Sequence, residues 1–234
     1  MRLIRPCAAV GAAAVLLFAA SSTRATVLTV APSSLPSAQG WTFGTGGSPV
    51  TTEAASWSLG SGVIILDTMA YGFTGAGTSS YYAVNGIVNL TDPLAMVVRA
   101  RIVQFEGDFT NAFVGGGFAF GFAQGTTQWY MGVNTTQIRN INGTVLSSAY
   151  DNTAFHTYRL EWTPPSSIRF YVDGTLISTN SAGFSAAGVN RVYFGDVTGA
   201  SNSRVEIESV TFLQGGVVAT EPATWGRVKA LYRN

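Results

Sequence analysis

Apolar side chains alternate with polar or small ones through most of the chain between residues 26 and 213. In "LAMVVRARIVQF" (94–105), Leu94, Met96, Val98, Ala100 and Ile102 share one face, and Arg99 and Arg101 sit on the other beside Ala95, Val97 and Val103. In "FAFGFA" (118–123), Phe118, Phe120 and Phe122 line one face, while Gly117, Ala119, Gly121 and Ala123 line the opposite one. A period of two predicts strands, because successive side chains on extended backbone point to opposite sides. No helical period of useful length precedes the last dozen residues. Glycine, serine, threonine and asparagine punctuate the runs at roughly 8–12-residue intervals, the spacing of an antiparallel sandwich rather than of a parallel sheet with crossover helices.

One stretch specifies its own pairing. In "FHTYRLEWTPPSSIRFYVDG" (155–174), Tyr158, Leu160 and Trp162 alternate with Arg159 and Glu161. After the loop Thr163-Pro164-Pro165-Ser166-Ser167, Ile168, Phe170 and Val172 alternate with Arg169 and Tyr171. Pairing Trp162 with Ile168 sets Leu160 opposite Phe170, and Glu161 opposite Arg169 on the other side. The prolines fall in the loop, where they remove no ladder hydrogen bond. Asp173-Gly174 then predicts a two-residue hairpin turn, which needs positive φ at both positions, and returns the chain with Ile177 opposite Phe170.

The first 25 residues have the pattern of an export signal: Arg2 and Arg5, an apolar run from Ala8 to Ala20, then Thr23-Arg24-Ala25 ahead of a cut before Thr26. The run is short for a membrane span, which takes ~20 apolar residues. Removing Arg2, Arg5 and Arg24 from the 13 Lys and Arg leaves ten against 12 Asp and Glu, a net charge near −2. It also removes Cys7, the single cysteine, so an exported domain must rest on its hydrophobic core alone. Near-neutral charge with a single lysine, Lys229, argues against nucleic acid or an anionic membrane surface as partner. The expected organisation is a signal peptide over 1–25, one domain over 26–215 and a tail over 216–234, with the product secreted or held at the cell surface.

"FHTYRLEW", a short turn and "IRFYVDG" resemble the concanavalin A-like superfamily, which includes laminin-G-like modules, legume-type lectins and the β-glucanases of glycoside hydrolase family 16. "RVYFGDVTGASNSRVEIESVTF" (191–212) resembles the final strands of the laminin-G-like bacterial members, and "QGWTFGTGG" and "SSYYAVNG" their opening ones. The resemblance covers about residues 35–213 and implies an all-β fold, a two-sheet antiparallel jelly-roll sandwich. Such a fold hosts enzymes, lectins and spacers, so it implies no single activity. The enzymatic branch carries a strand similar to Glu-x-Asp-x-x-Glu, and retaining hydrolysis needs two carboxyl groups ~5–5.5 Å apart. No such cluster occurs here. Glu106 and Asp108 flank Gly107 in "QFEGDFTN" and read as loop residues. Glu206 and Glu208 in "RVEIESV" lack the middle Asp and lie after the hairpin rather than before it. "FAFGFA", the strand best placed for the motif, has glycine and alanine where acids would stand. The expectation is a non-catalytic, lectin-like module.

His156, the only histidine, shares a face with Tyr158, Leu160 and Trp162 and reads as a packed or edge residue. With no cysteine beside it, a zinc site is not expected, and no nucleophile-elbow motif accompanies it. Calcium is the one ion that the resemblance keeps open, with Asp196 in the loop "FGDVTGASNSR" as candidate ligand. In "QWYMGV" the face of Trp129, Met131 and Val133 is the more apolar, which leaves Gln128 and Tyr130 on the open side; Arg139 and Asn140 follow on the next strand. These four are the candidate ligand-binding residues, and a glycan or cell-surface polymer is the expected partner. An aromatic platform on the open sheet would favour glycan binding; a flat Gly/Ala surface would favour a structural spacer. The competing reading is a glycoside hydrolase or lyase with a non-standard site on the same scaffold. The tail "TEPATWGRVKALYRN" (220–234) resembles the start of the Pro-Glu-Pro tail of exosortase-sorted bacterial proteins, with Thr220 in place of the first proline. The apolar span that should follow is replaced by residues 226–234, which include Arg227, Lys229 and Arg233 and are too few to cross a bilayer. The expectation is a short sorting or attachment tag.

Overall fold

In the computed structural model, which describes residues 25–72, 78–107, 117–180, 184–199 and 201–215, the alternating runs become strands. The first seven are β1 (Thr26–Val30), β2 (Thr42–Gly47), β3 (Trp57–Leu59), β4 (Ile64–Asp67), β5 (Thr78–Asn85), β6 (Leu94–Gly107) and β7 (Phe118–Val133). There follow β8 (Ile138–Asn140), β9 (Val145–Ser147), β10 (His156–Thr163), β11 (Ser167–Val172), β12 (Thr175–Asn180), β13 (Phe184–Asp196) and β14 (Ser201–Gln214). An eight-stranded sheet runs in the order β12-β11-β10-β6-β14-β4-β3, with β1 also alongside β14. A six-stranded sheet runs β2-β5-β13-β7-β8-β9. All pairings are antiparallel. No helix among the described residues is long and apolar enough to cross a membrane.

The core lies where the period-two pattern puts it. Leu94, Met96, Val98, Ala100 and Ile102 are fully buried on β6, and Phe118, Phe120 and Phe122 enter the same cluster from the other sheet. On the far side of β6, Arg99 and Arg101 pair with Glu208 and Glu206 of β14. Two facing sheets, each with one apolar face, give a sandwich.

Sixteen extended residues, the length of β7, would span roughly 50 Å. The segment folds back on itself. Gly117 lies against the Val133 carbonyl, Gly121 lies against Trp129 and Tyr130, and the Phe122 and Trp129 rings are 6.0 Å apart. Between these contacts the exposed Gly125 adopts φ +62°. β7 is therefore a hairpin whose first arm pairs with β13 from Ala119 to Gly125 and whose second arm pairs with β8 over Met131–Val133, while Thr127 and Gln128 near its turn also reach β13 at Ser185 and Phe184.

The hairpin of β10 and β11 has the expected register: Trp162 faces Ile168, Leu160 faces Phe170, and Glu161 faces Arg169. Asp173 and Gly174 both take positive φ, at 49° and 82°. The return strand differs by one residue. Tyr171 faces Leu176, but Phe170 faces Ser178, so Ile177 has no partner across the ladder. One extra residue in β12 makes this a β-bulge, which alternation alone does not announce.

Polar groups close one end of the core. Asp196, Ser80, Thr78, Thr68 and Ser203 are all buried there. Ser80 accepts from Trp57 Nε1 at 2.7 Å, and Thr68, just past β4, donates to Asp196 Oδ2 at 3.0 Å and accepts from the Ser203 amide at 2.8 Å. These bonds tie the two sheets together where apolar contact ends.

Candidate functional site on the outer face of the six-stranded sheet

Two aromatic dipeptides decide what the six-stranded sheet shows to each side. Neighbouring residues on a strand face opposite ways. In β5, Tyr82 enters the core and Tyr81 faces out; in β13, Phe194 enters the core and Tyr193 faces out. The register places Tyr193 between Ala83 and Gly121. Tyr130, on the second arm of β7, flanks Gly121 from the other side. Tyr193, Tyr130, Ala83, Ala119 and Ile141 form a small apolar cluster distinct from the main core, with Tyr81 and Val197 packed against it.

The small residues on this face exist because the tyrosines use their space. A Cβ added to Gly44 would sit 2.6 Å from Tyr81 Cε2, and one on Gly195 would sit 2.6 Å from Tyr81 Cα. A Cβ on Gly121 would sit 2.7 Å from Tyr130 Cα. The strip of glycine and alanine is thus the bed of an aromatic layer in which Tyr130 and Tyr193 are buried and Tyr81 is half-buried.

Arg191 lies two residues before Tyr193 on the same face. Its guanidinium carbon is 5.1 Å from the Tyr193 ring centroid and 5.6 Å from that of Tyr81, within cation–π range. Its Nε is buried without a hydrogen-bond partner. Arg139, opposite Gly132, is on the outer face too; its Nε and Nη2 donate to Gln137 Oε1 at 3.1 and 3.0 Å, and its Nη1 donates to the Gly143 carbonyl at 3.1 Å. Burial, above all, pushes the Tyr193 hydroxyl well above its ordinary range, so it stays protonated.

The acidic residues lie elsewhere. The six strands of this sheet carry one carboxylate, Asp196, and it points into the sandwich. Glu206 and Glu208 are held by Arg101 and Arg99 on the other sheet, and Glu106 is exposed at the end of β6. Asp108 lies outside the described residues. His156 is a structural residue: its Nδ1 is 2.6 Å from Asp173 Oδ2 and its Nε2 is 3.1 Å from the Asp151 carbonyl.

Of the four binding candidates, the structure brings Tyr130 and Arg139 to the outer face, with the half-buried Gln128 nearer the β7 turn. Asn140 faces the other way, in register with Met131 of the core. Its Oδ1 accepts from the amides of Asn142 and Thr144, both at 3.0 Å, so it fastens the loop after β8. Asp196 is the last residue of β13 rather than a loop residue, and it is fully buried. Desolvation raises its carboxyl well above the usual range, against the opposing bonds from the Thr68 hydroxyl and Thr198 amide. Calcium gathers six to eight oxygen ligands; a single buried carboxyl facing a hydroxyl and an amide proton does not match that set. Among the described residues no group of three or more His, Cys, Asp or Glu could hold a metal ion. Sequence reasoning missed Tyr81, Arg191 and Tyr193. The available signal was the paired aromatics Tyr81-Tyr82 and Tyr193-Phe194, where one ring of each pair must leave the core.

Comparison with known proteins agrees with this architecture. Residues 120–208 match glycosyl hydrolases family 16. A structure described as a native glycosidic hydrolase superposes with a TM-score of 0.54 at 18% identity, covering 82% of this chain and 97% of the other. A carbohydrate esterase, vb_24B_21 from the Shiga toxin-encoding bacteriophage phi24B, superposes with a TM-score of 0.52 at 16% identity, covering 82% of this chain and 100% of the other. No curated protein sequence matches the chain.

Proposed function

We propose, starting from the concanavalin A-like lectin and glucanase fold of this chain, that it is a secreted glycan-binding module that holds its ligand without cleaving it. The observation that carries this reading is the outer face of the six-stranded sheet, where the half-buried Tyr81, Arg191 and Arg139 lie over the buried Tyr130 and Tyr193, with no carboxylate among the described residues. Aromatic rings and fixed polar donors are the means by which a shallow surface holds a sugar. Hydrolysis by paired carboxylates has no such pair to use on this face. The export pattern of residues 1–25 supports a place outside the cell, where a module of this kind would serve adhesion or attachment to a polymer.

The second reading, a hydrolase or lyase, draws on the family 16 match. A lyase would need a base on this face, and burial of Tyr193 works against phenolate formation there. One experiment separates the readings: incubate the purified protein with a polysaccharide panel, measuring retention by affinity electrophoresis and new reducing or unsaturated ends. Retention without new ends, weakened when Tyr81 is changed to Ala, is the expected result. New ends that disappear in Glu106→Gln or Glu206→Gln would establish the enzyme instead.

A further inference from the structure

The reading above leaves the chemical class of the glycan open. We infer that the outer face of the six-stranded sheet takes an anionic glycan, one bearing carboxylate or sulfate groups, with Arg191 as the anion contact. This rests on the glycan-binding reading and narrows it.

Unanswered charge marks this face. A guanidinium is charged at every relevant pH. Four of the described arginines have a carboxylate partner: Arg99 with Glu208, Arg101 with Glu206, Arg159 with Glu161, and Arg204 with Asp67. Arg139 bonds neutral oxygens, and Arg169 lies opposite Glu161 across the ladder. Arg191 has a buried Nε and no acid opposite it on either neighbouring strand. Among the described residues it has no ion pair and no hydrogen bond, only the faces of Tyr81 and Tyr193 and a buried Nε without an acceptor. Its cross-strand neighbours, Asn85 on β5 and Ala123 on β7, are neutral. Ring faces attract a cation but do not discharge it, and a partly desolvated cation is costly unless an anion arrives.

The surroundings point the same way. The only carboxylate in these six strands is turned into the sandwich, so nothing on the outer face of the described strands repels an anion. Arg139 adds a second positive charge on that face. Tyr81 is only partly buried over Gly44, so its ring can stack on a sugar, while the deeply buried Tyr193 supports Arg191 from beneath. A planar fork set against two rings is pre-organised for two-point contact with a carboxylate or a sulfate. A site of positive sign in a chain of near-neutral total charge selects for the charged polymer rather than attracting polyanions in general.

The test uses three probes on the whole chain: polygalacturonate for carboxylate, a sulfated galactan for sulfate ester, and laminarin as a neutral glucan. Affinity is measured by calorimetry at low and high salt. Wild type is expected to bind at least one acidic polymer and to weaken as salt rises. Arg191→Gln should bind it about tenfold more weakly or worse, and Arg191→Lys should fall between the two because it keeps the charge and loses the fork. Binding of polygalacturonate alone assigns the carboxylate; binding of the galactan alone assigns the sulfate; binding of both assigns charge as the determinant. Laminarin held as tightly as the acidic polymers, or an unchanged affinity in folded Arg191→Gln, overturns the inference and leaves the glycan reading standing. Binding of none of the three overturns both. Should Arg191→Gln fail to fold, the acidic-to-neutral affinity ratio of the wild type and its salt dependence decide by themselves.

Discussion

Gly121 lies between Tyr193 and Tyr130, with the backbone of Trp129 and Tyr130 where a side chain would go. Alanine there must push the second arm of β7 away from the first, because the obstructing atoms are main chain rather than a flexible tip. Gly121→Ala is expected to cost about 1–3 kcal/mol in urea unfolding and to weaken glycan retention along with stability. Asp196 makes the opposite kind of prediction. Its folded-state pKa lies above the unfolded value, so its contribution is intact below the unfolded pKa, near 3.8. That contribution is lost as pH rises toward the folded pKa. Asp196→Asn mimics the protonated acid without its titration. The variant should gain on the wild type as pH rises from 4 to 8, read from unfolding midpoints across that range. A variant that loses ground as pH rises would mean that the carboxylate is ionised and satisfied in the fold.

At the scale of elements, the Asp173-Gly174 turn is more than a reversal. Asp173 Oδ1 accepts from the Thr157 amide at 2.8 Å, its Oδ2 meets His156, and its own amide donates to the Thr157 carbonyl at 2.8 Å. The turn between β11 and β12 is thereby fastened to the start of β10. Asp173→Ala removes two side-chain acceptors and puts a β-carbon without a polar partner at φ 49°, so a loss of about 1–3 kcal/mol is expected. Asp173→Asn keeps one acceptor and tolerates the same backbone, and should lose less than half as much; equal losses would show that charge, not geometry, holds the turn. This segment was legible in the sequence because its pairing is local: alternation, a proline loop and an Asp-Gly turn fix three strands within some twenty-five residues. The bulge at Ile177 was not legible, since an inserted residue leaves the hydrophobic pattern nearly unchanged. The doubling-back of β7 escaped notice for a related reason, because Gln124 to Gln128 continue a run of extended-compatible residues and only Gly125 marks the turn.

The whole molecule explains why the fold was readable and the site was not. The core faces repeat a pattern within each strand, whereas the outer face is assembled from Tyr81, Arg191 and the buried Tyr130, which come together only when β5, β13 and β7 lie side by side. No local window contains that juxtaposition. The same topology bears on the expected processing. β1 begins at Thr26 and pairs with β14 from Thr26 opposite Gln214 to Val30 opposite Val210. A cut before Thr26 would leave this strand whole, while a cut five residues later would strip it from β14 and uncover the buried Val30 contact. Expression in an export-competent bacterium should therefore yield a product whose intact mass corresponds to a chain starting at Thr26, recovered outside the cytoplasm. A cytoplasmic product retaining Met1 would refute the export reading. A product starting after Val30, still folded and glycan-binding, would show that β1 is dispensable for the surface on the opposite sheet.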